Sequence, residues 1–269
     1  MAARPRCNAW MPGETMDAIH LITARSETMK IWILTSMLLL MTTPAVAGSL
    51  HPSHAPLDKI LQAHVKNGRV NYAAIKARDL DTLDAYIKAI GCADLEGLNR
   101  QGKLAFYLNA YNALVIKSVI HRMPLASVKG IKGFFDGARH KVAGKSLTLN
   151  DLENKIIRPR FKEPRIHFAL VCAARSCPPL MSRAFTAKSV NRDLERLTRR
   201  FLNASTGVVI KDGKVAASQL FSWYAEDFVK AAGSVAAYLA KYRPGDAEAL
   251  GAKGLKIAFL EYDWKLNGP

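Results

Sequence analysis

Residues 103–122 read KLAFYLNAYNALVIKSVIHR, which is the longest strong helix pattern in the sequence. Apolar side chains occupy nearly every side of a helix of this length, whereas a surface helix keeps its apolar residues on one stripe. Pro124 follows closely and predicts the end of the helix, because proline cannot continue one. We therefore expect a long helix buried at the centre of the protein.

The segments on either side of this helix predict further helices and a few short strands. The predicted elements are helices at 56–65, 79–90, 151–157, 187–203, 220–231 and 234–242, hairpins at 140–147 and 208–216, and buried strands at 166–172 (IHFALVC) and 255–260. No repeat, linker or low-complexity tract divides them. The pattern is typical of an α+β protein, a single mainly helical domain over 56–267 with a small, mostly antiparallel sheet packed on the central helix.

The N-terminal residues have the pattern of an export signal. Lys30 precedes an apolar run at 31–41, and residues 45–47 (AVA) match the A-x-A pattern of a cleavage site. An uncleaved membrane anchor is the alternative, although a spanning helix needs roughly 20 apolar residues. The expected segments are an upstream extension at 1–28, a signal peptide at 29–47 and a mature chain without a transmembrane span. The protein is therefore predicted to be periplasmic or secreted.

The composition restricts the class of protein and the kind of partner. Of the 269 residues, 49% are hydrophobic and 23% are charged, which excludes a disordered chain, and four cysteines are too few for a small disulfide framework. The formal net charge of +17 favours an anionic ligand or peripheral association with an anionic envelope surface. Export, and the lack of a basic run with interleaved aromatic residues, argue against a nucleic-acid partner.

Several segments resemble the family called domain of unknown function 547. They are GRVNYAAIKA (68–77), KLAFYLNAYNALVI (103–116), VAGKSLTLNDLENKIIRPRF (142–161), RIHFALVCAARSCPPL (165–180), SWYAEDF (222–228) and FLEYDWKLN (259–267). Their number and order make the resemblance specific, and together they cover roughly residues 56–267. The resemblance implies no settled activity.

His167 and Cys172 are the first candidates for chemistry, because a thiol beside an imidazole is the minimal pair of nucleophile and base. Five residues apart on a regular strand, their side chains would lie on opposite faces. The two can meet only if Cys172 lies beyond the end of the strand. The alternatives are a core histidine with satisfied hydrogen bonds and a buried cysteine that behaves as a small hydrophobic residue.

Cys172 and Cys177 form a C-x₄-C pair, which suggests an alternative to Cys172 as a nucleophile. In an oxidising compartment they can form a local disulfide, and a disulfide sulfur is not a nucleophile. As zinc ligands, the two cysteines and His167 lack a convincing fourth ligand. We therefore expect no metal and no cofactor.

Asn109 and Asn112 lie three residues apart on the central helix and share a face. They are expected either to hold a loop in a structural network or to orient a catalytic imidazole and donate to an oxyanion. Glu153 either stabilises a helix N-terminus or orients His167 as the third member of a triad. Tyr111 points elsewhere on the helix and is expected to pack in the core.

Three further residues near the cysteines are candidates for substrate binding. Arg165 and Arg175 flank the segment that carries His167 and Cys172, and either can bind an anionic group or lower the pKa of a thiol. Ser176 is a weaker candidate, because no G-x-S-x-G turn surrounds it. The alternative for both arginines is a solvated surface charge.

Two functions follow from these residues. The first is an exported envelope protein that binds a ligand or partner in a cleft formed by His167, Cys172, Asn109, Asn112 and Glu153, without established catalysis. The second is a cysteine-dependent hydrolase or acyl transferase with Cys172 as nucleophile and His167 as base. A long helix followed by a strand with histidine resembles the papain and transglutaminase plan, but the helix offers asparagines where that plan has its cysteine.

Overall fold

The computed structural model describes residues 51–269, which belong to one compact unit extending over Ser49–Pro269. The expected upstream extension and signal peptide, at 1–28 and 29–47, lie outside the described residues. None of the helices within 51–269 combines the length and the hydropathy needed to cross a bilayer.

Helices form most of the regular structure of this unit, as the sequence predicts. They are α1 (Ala55–His64), α2 (Tyr72–Arg78), α3 (Leu80–Cys92), α4 (Arg100–Arg122), α5 (Leu149–Asp151), a π-helix (Leu152–Ile157), α6 (Arg158–Phe161), a 3₁₀ helix (Pro164–Phe168), α7 (Val190–Leu202), α8 (Leu220–Trp223), α9 (Ala225–Ala232), α10 (Val235–Tyr242), a second 3₁₀ helix (Pro244–Asp246) and α11 (Ala247–Gly251).

The central helix is α4, and its predicted burial is confirmed. It begins at Arg100, three residues earlier than the apolar pattern indicates, because the side chain of Asn99 caps it by accepting a hydrogen bond from the backbone N–H of Gly102. Its side chains are buried almost continuously from Leu104 to Ile120. The helix therefore forms the middle of the hydrophobic core, and the other elements pack around it.

The strands are short and form three separate sheets instead of the one expected. They are β1 (Val65–Lys66), β2 (Arg69–Val70), β3 (His140–Val142), β4 (Lys145–Leu147), β5 (Val208–Lys211), β6 (Lys214–Ala217) and β7 (Ile257–Phe259). The three hairpins β1–β2, β3–β4 and β5–β6 are antiparallel, whereas β7 pairs with β6 in parallel. The α+β class is confirmed, and the sheets are mostly antiparallel.

The prediction of a buried strand at 166–172 is wrong. The chain forms the first 3₁₀ helix there, starting at Pro164, and the side chain of Glu163 caps its first turn by accepting from the backbone N–H of Arg165. A short apolar run does not distinguish a strand from a buried helical turn by its periodicity. Because no strand is present, the alternation of side chains does not separate His167 from Cys172.

Candidate functional site

A cavity of about 340 Å³ is lined by residues from α4, α5, the π-helix, α8 and the segment 262–264. Aromatic rings form much of its wall, so we call it the aromatic cavity. Its lining includes six Phe, Tyr or Trp residues (Tyr111, Phe135, Trp223, Tyr224, Tyr262 and Trp264) and five other polar or sulfur-containing side chains (Asn150, Glu153, His167, Cys172 and Cys177).

Glu153 is positioned by the π-helix, a form of helix that occurs frequently at functional sites. The preceding turn is fixed by a capping box, in which the side chains and backbone N–H groups of Thr148 and Asp151 bond reciprocally. The carboxylate is buried, with the residue 7% exposed. Tyr111 donates a hydrogen bond to its Oε2 at 3.3 Å, and burial keeps this phenol protonated by raising its pKa well above the usual value.

His167 lies between two carboxylates. Its Nε2 is 2.8 Å from Oδ2 of Asp227, and its Nδ1 is 3.9 Å from Oε1 of Glu153. The imidazole is almost fully buried and stacks on the ring of Tyr224, with 3.8 Å between the ring centroids. The imidazole is therefore held by a hydrogen bond at Nε2 and by stacking on one face, while its Nδ1 edge faces Glu153.

Asp227, in the first turn of α9, joins His167 to Arg158. The Arg158 guanidinium donates two hydrogen bonds to the Asp227 carboxylate, at 2.7 and 3.0 Å. Burial alone would raise the pKa of Asp227, but the hydrogen bonds from His167 and Arg158 outweigh it and lower that pKa below its usual value. Since an ionised carboxylate only accepts, Nε2 of His167 carries the proton of this bond.

Cys172 and Cys177 are free thiols in direct contact, so the structure does not contain the disulfide considered as an alternative. The backbone N–H of Cys172 donates to Sγ of Cys177 at 2.8 Å, and Sγ of Cys172 is 3.2 Å from the hydroxyl of Tyr262. Ala173 between them has a φ of 62°, a left-handed conformation that is uncommon for alanine. This turn brings both sulfur atoms to the cavity wall.

The two thiols differ in their tendency to ionise. Burial would raise the pKa of Cys172, but hydrogen bonds from Cys177 and Tyr262 outweigh it, and the pKa is lowered. For Cys177, burial and the neighbouring Cys172 raise the pKa well above the usual value. Burial also raises the pKa of Tyr262, which stays protonated and donates to the Cys172 sulfur. Cys172 is therefore the more nucleophilic of the two.

The segment 263–267 holds the turn that carries the cysteines. Backbone N–H groups of Arg175 and Ser176 donate to the carbonyls of Lys265 and Asp263, at 2.9 and 3.1 Å. In return, the N–H of Asn267 donates to the carbonyl of Ala173 at 2.9 Å. This pairing places the rings of residues 262 and 264 in the cavity wall.

Trp223, Tyr262 and Trp264 form a cluster of aromatic rings at the cavity. The centroid of Trp223 lies 4.9 Å from that of Tyr262 and 5.8 Å from that of Trp264, and the latter two centroids are 4.8 Å apart. Trp223 is 47% exposed, an unusual state for the largest apolar side chain. Exposed aromatic area next to a concave site is typical of a binding surface.

Residues 95–202 match the family model described as "Protein of unknown function, DUF547". The chain contains a DUF547 domain. The resemblance seen in the sequence is thereby confirmed, over a shorter range than the 56–267 that the quoted segments cover. No curated protein and no solved structure matches the chain. The matched range of the DUF547 domain carries Glu153, His167 and both thiols, while Asp227 and the aromatic cluster lie beyond it.

Asn109 and Asn112 do not line the aromatic cavity, which differs from the predicted convergence. Asn109 exchanges two hydrogen bonds of 2.9 Å with the backbone of Phe185. Asn112 donates to the carbonyl of Ala169 at 2.9 Å and accepts from the N–H of Val171 at 3.1 Å. Both amides bond to the backbone of loops, which is the structural alternative considered for them.

A hydrogen-bonded pair of Cys172 and His167 is likewise not formed. The sulfur of Cys172 bonds to Tyr262, and both ring nitrogens of His167 face carboxylates. The predicted contact between His167 and Glu153 is present, at a distance longer than a hydrogen bond. The structure thus brings Glu153, His167 and Cys172 to one cavity without arranging them as a triad.

The three predicted substrate-binding residues lie outside the aromatic cavity. Arg165 is neutralised by Glu163, to which it donates at 2.7 and 2.8 Å, and lies 3.5 Å from Glu195. Arg175 lines a different cavity, of about 270 Å³, and Ser176 lines one of about 170 Å³. Proximity in sequence to the cysteines therefore does not bring these three side chains to the aromatic cavity.

Sequence reasoning missed Asp227, Arg158 and the aromatic wall. The segment SWYAEDF at 222–228 contained the signal, since it places three aromatic residues and two acids within seven positions. Tyr111 is buried in the core, as expected, and its hydroxyl also contacts Glu153 at the cavity. Within residues 51–269 no group of three or more histidine, cysteine, aspartate or glutamate side chains is arranged to hold a metal ion.

Proposed function

We propose that this protein is exported and binds a small organic ligand in the aromatic cavity. The observation that carries the proposal is the cavity itself, which combines a volume of about 340 Å³ with aromatic walls and few polar groups. Ligand sites in proteins have this composition and volumes of roughly 300–1,000 Å³. The export half of the proposal rests on the signal pattern at 29–47.

The side chains that line the cavity indicate which chemical groups the ligand carries. The carboxylate of Glu153 accepts hydrogen bonds, while the rings of Trp223, Tyr262 and Trp264 offer flat apolar or π-electron surfaces. A ligand that fits both has a ring or methyl face toward the aromatic cluster and a hydroxyl or ammonium donor toward Glu153. His167 is held in place by Asp227 and is a fixed positioning group next to that donor.

The test is a ligand screen with paired variants. Monosaccharides and ring-bearing amines are screened by ligand-observed NMR against the wild type, Glu153→Gln and Glu248→Gln. Glu248 is an exposed glutamate outside the cavity and is the matched control. Binding that is weakened at least tenfold by Glu153→Gln and unchanged by Glu248→Gln supports the proposal. The proposal is contradicted if neither substitution changes the affinity, or if no monosaccharide and no ring-bearing amine binds.

A second candidate function, cysteine-dependent acyl transfer, is favoured by one observation, the lowered pKa of Cys172 at the cavity wall. The thiolate would form a thioester with the acyl carbon, the alcohol or amine would leave with a proton, and water would hydrolyse the thioester and restore the thiol. His167 is not hydrogen-bonded to Cys172 in this arrangement, because its Nε2 donates to Asp227, its Nδ1 faces Glu153 and the Cys172 sulfur bonds to Tyr262.

The two functions are separated by substitution of the nucleophile. In the binding function, Cys172→Ser leaves the affinity of a screened ligand within a few-fold of the wild type. In the catalytic function, Cys172→Ser abolishes hydrolysis of activated esters and thioesters, whereas Cys177→Ser retains it. Equal hydrolysis by the wild type and Cys172→Ser would exclude cysteine chemistry.

A further inference from the structure

A second cavity, of about 270 Å³, shares Cys177 with the aromatic cavity. Three arginines line it, Arg69, Arg175 and Arg200, and its lining includes no aspartate or glutamate. We call it the arginine cavity. It is separate from the binding function proposed above, which does not use these residues.

The three arginines come from distant parts of the chain. Arg69 lies on β2, Arg175 follows the turn at Ala173, and Arg200 lies in the last turn of α7. Nη1 of Arg69 donates to the carbonyl of Gly268 at 2.9 Å, which fixes one of the three guanidinium groups at the cavity. The three positive charges are therefore brought together by the tertiary fold and not by proximity in the sequence.

The close packing of the β1–β2 turn brings Arg69 there. Gly68 in that turn has a φ of 86°, and a Cβ placed on it would lie 2.2 Å from Cβ of Pro179. Only glycine satisfies both the backbone conformation and this approach. The turn therefore sits directly against the loop that follows Arg175.

In the part of the chain that the structure describes, no carboxylate neutralises the charge of the arginine cavity. Arg158, Arg165 and Arg243 each pair with a carboxylate elsewhere in the described residues. No such ion pair involves the three cavity arginines within residues 51–269. Like charges around one concave surface concentrate positive potential and attract an anion.

We propose that the arginine cavity binds a phosphate monoester group. A carboxylate carries one negative charge, and one guanidinium can bond to both of its oxygens. A phosphate monoester carries a charge of about −1.5 to −2 and has three acceptor oxygens. Three guanidinium groups carry three positive charges, which more than neutralise that anion, and each can donate to one of its three oxygens. Thr206 and Asn67 also line the cavity and supply neutral hydrogen-bond donors. The phosphate belongs either to a soluble phosphorylated molecule or to the headgroup of a lipid.

The experiment measures binding of inorganic phosphate to the full chain by isothermal titration calorimetry, at constant ionic strength set with chloride. The variants are Arg175→Ala, Arg200→Ala and the control Arg192→Ala, an exposed arginine on α7 outside the cavity. We expect saturable binding by the wild type and Arg192→Ala, and affinity at least tenfold weaker for each cavity variant. Circular dichroism confirms that each variant is folded, and Arg175→Lys, which loses bidentate geometry but keeps the charge, is expected to fall between them.

Vesicles distinguish the two sources of the phosphate. Co-sedimentation with phosphatidylcholine vesicles containing phosphatidic acid, abolished by Arg175→Ala and retained by Arg192→Ala, identifies a lipid headgroup. Phosphate binding without co-sedimentation identifies a soluble ligand. The proposal is overturned if phosphate does not bind, or if Arg175→Ala and Arg192→Ala reduce binding equally, since that is a general response of a basic surface.

Discussion

Replacing Asn112 by alanine tests how the site is supported. Asn112 is 2% exposed, and its amide bonds to the backbone of Ala169 and Val171, the segment between His167 and Cys172. Asn112→Ala leaves one carbonyl and one N–H without their partner, and each unsatisfied buried group costs about 1–3 kcal/mol. We therefore expect a loss of about 2 kcal/mol or more in the free energy of unfolding, measured by urea denaturation at pH 7.

Asn109→Ala is a closely matched control, because Asn109 also makes two hydrogen bonds to buried backbone, at Phe185. Both variants should lose similar stability. Only Asn112→Ala should change the rate at which iodoacetamide alkylates Cys172, since only Asn112 holds the segment that leads to that thiol. A loss below about 0.5 kcal/mol for Asn112→Ala, or an equal change of alkylation rate in both variants, would refute this account of the support.

Four other outcomes are expected. Leu108→Ala in α4 should cost about 2–5 kcal/mol of unfolding free energy by forming a cavity, and a loss below 0.5 kcal/mol would mean that the helix is not central. Mass spectrometry after brief alkylation at pH 7 should find Cys172 modified before Cys177, because the pKa of the first is lowered and that of the second is raised. Asp227→Asn should have a lower free energy of unfolding than the wild type above about pH 5. The difference in unfolding free energy between the two proteins should decrease as the pH falls below about 4, because a carboxyl group whose pKa is lowered in the folded state stabilises the fold only while it is ionised. The protein isolated from its host should begin near Gly48, and an intact N-terminus would contradict the proposed export.

The central helix was predictable because its signal is local and continuous. Apolar residues on all sides from Leu104 to Ile120 leave no solvent face, and the same residues are buried in the structure. The hairpin around Gly144 was predictable for a similar reason, since its turn residues lie next to each other in the sequence. The strand predicted at 166–172 was wrong, because the apolar composition of this run fits a strand and a buried 3₁₀ turn equally well.

The site was only partly predictable, because its contacts cross long distances in sequence. Glu153, His167 and Cys172 were named from residue type, and the structure brings them to one cavity. Asp227 lies 60 residues from His167, so that no spacing rule connects them. The asparagines were recognised as needing partners in the core, but residue type alone does not tell whether such a partner is a ligand or a backbone group.

The pairing between 173–176 and 263–267 has a consequence for the order of folding. The contact of Cys172 with Tyr262 spans 90 residues, and a buried hydrogen bond from Tyr72 to Asn267 spans 195. Closing such a long loop costs chain entropy before the contact contributes any favourable free energy. Such contacts therefore form late in folding and lower the folding rate. The more local contacts of the core around α4 are therefore expected to form before the long-range contacts that close the aromatic cavity.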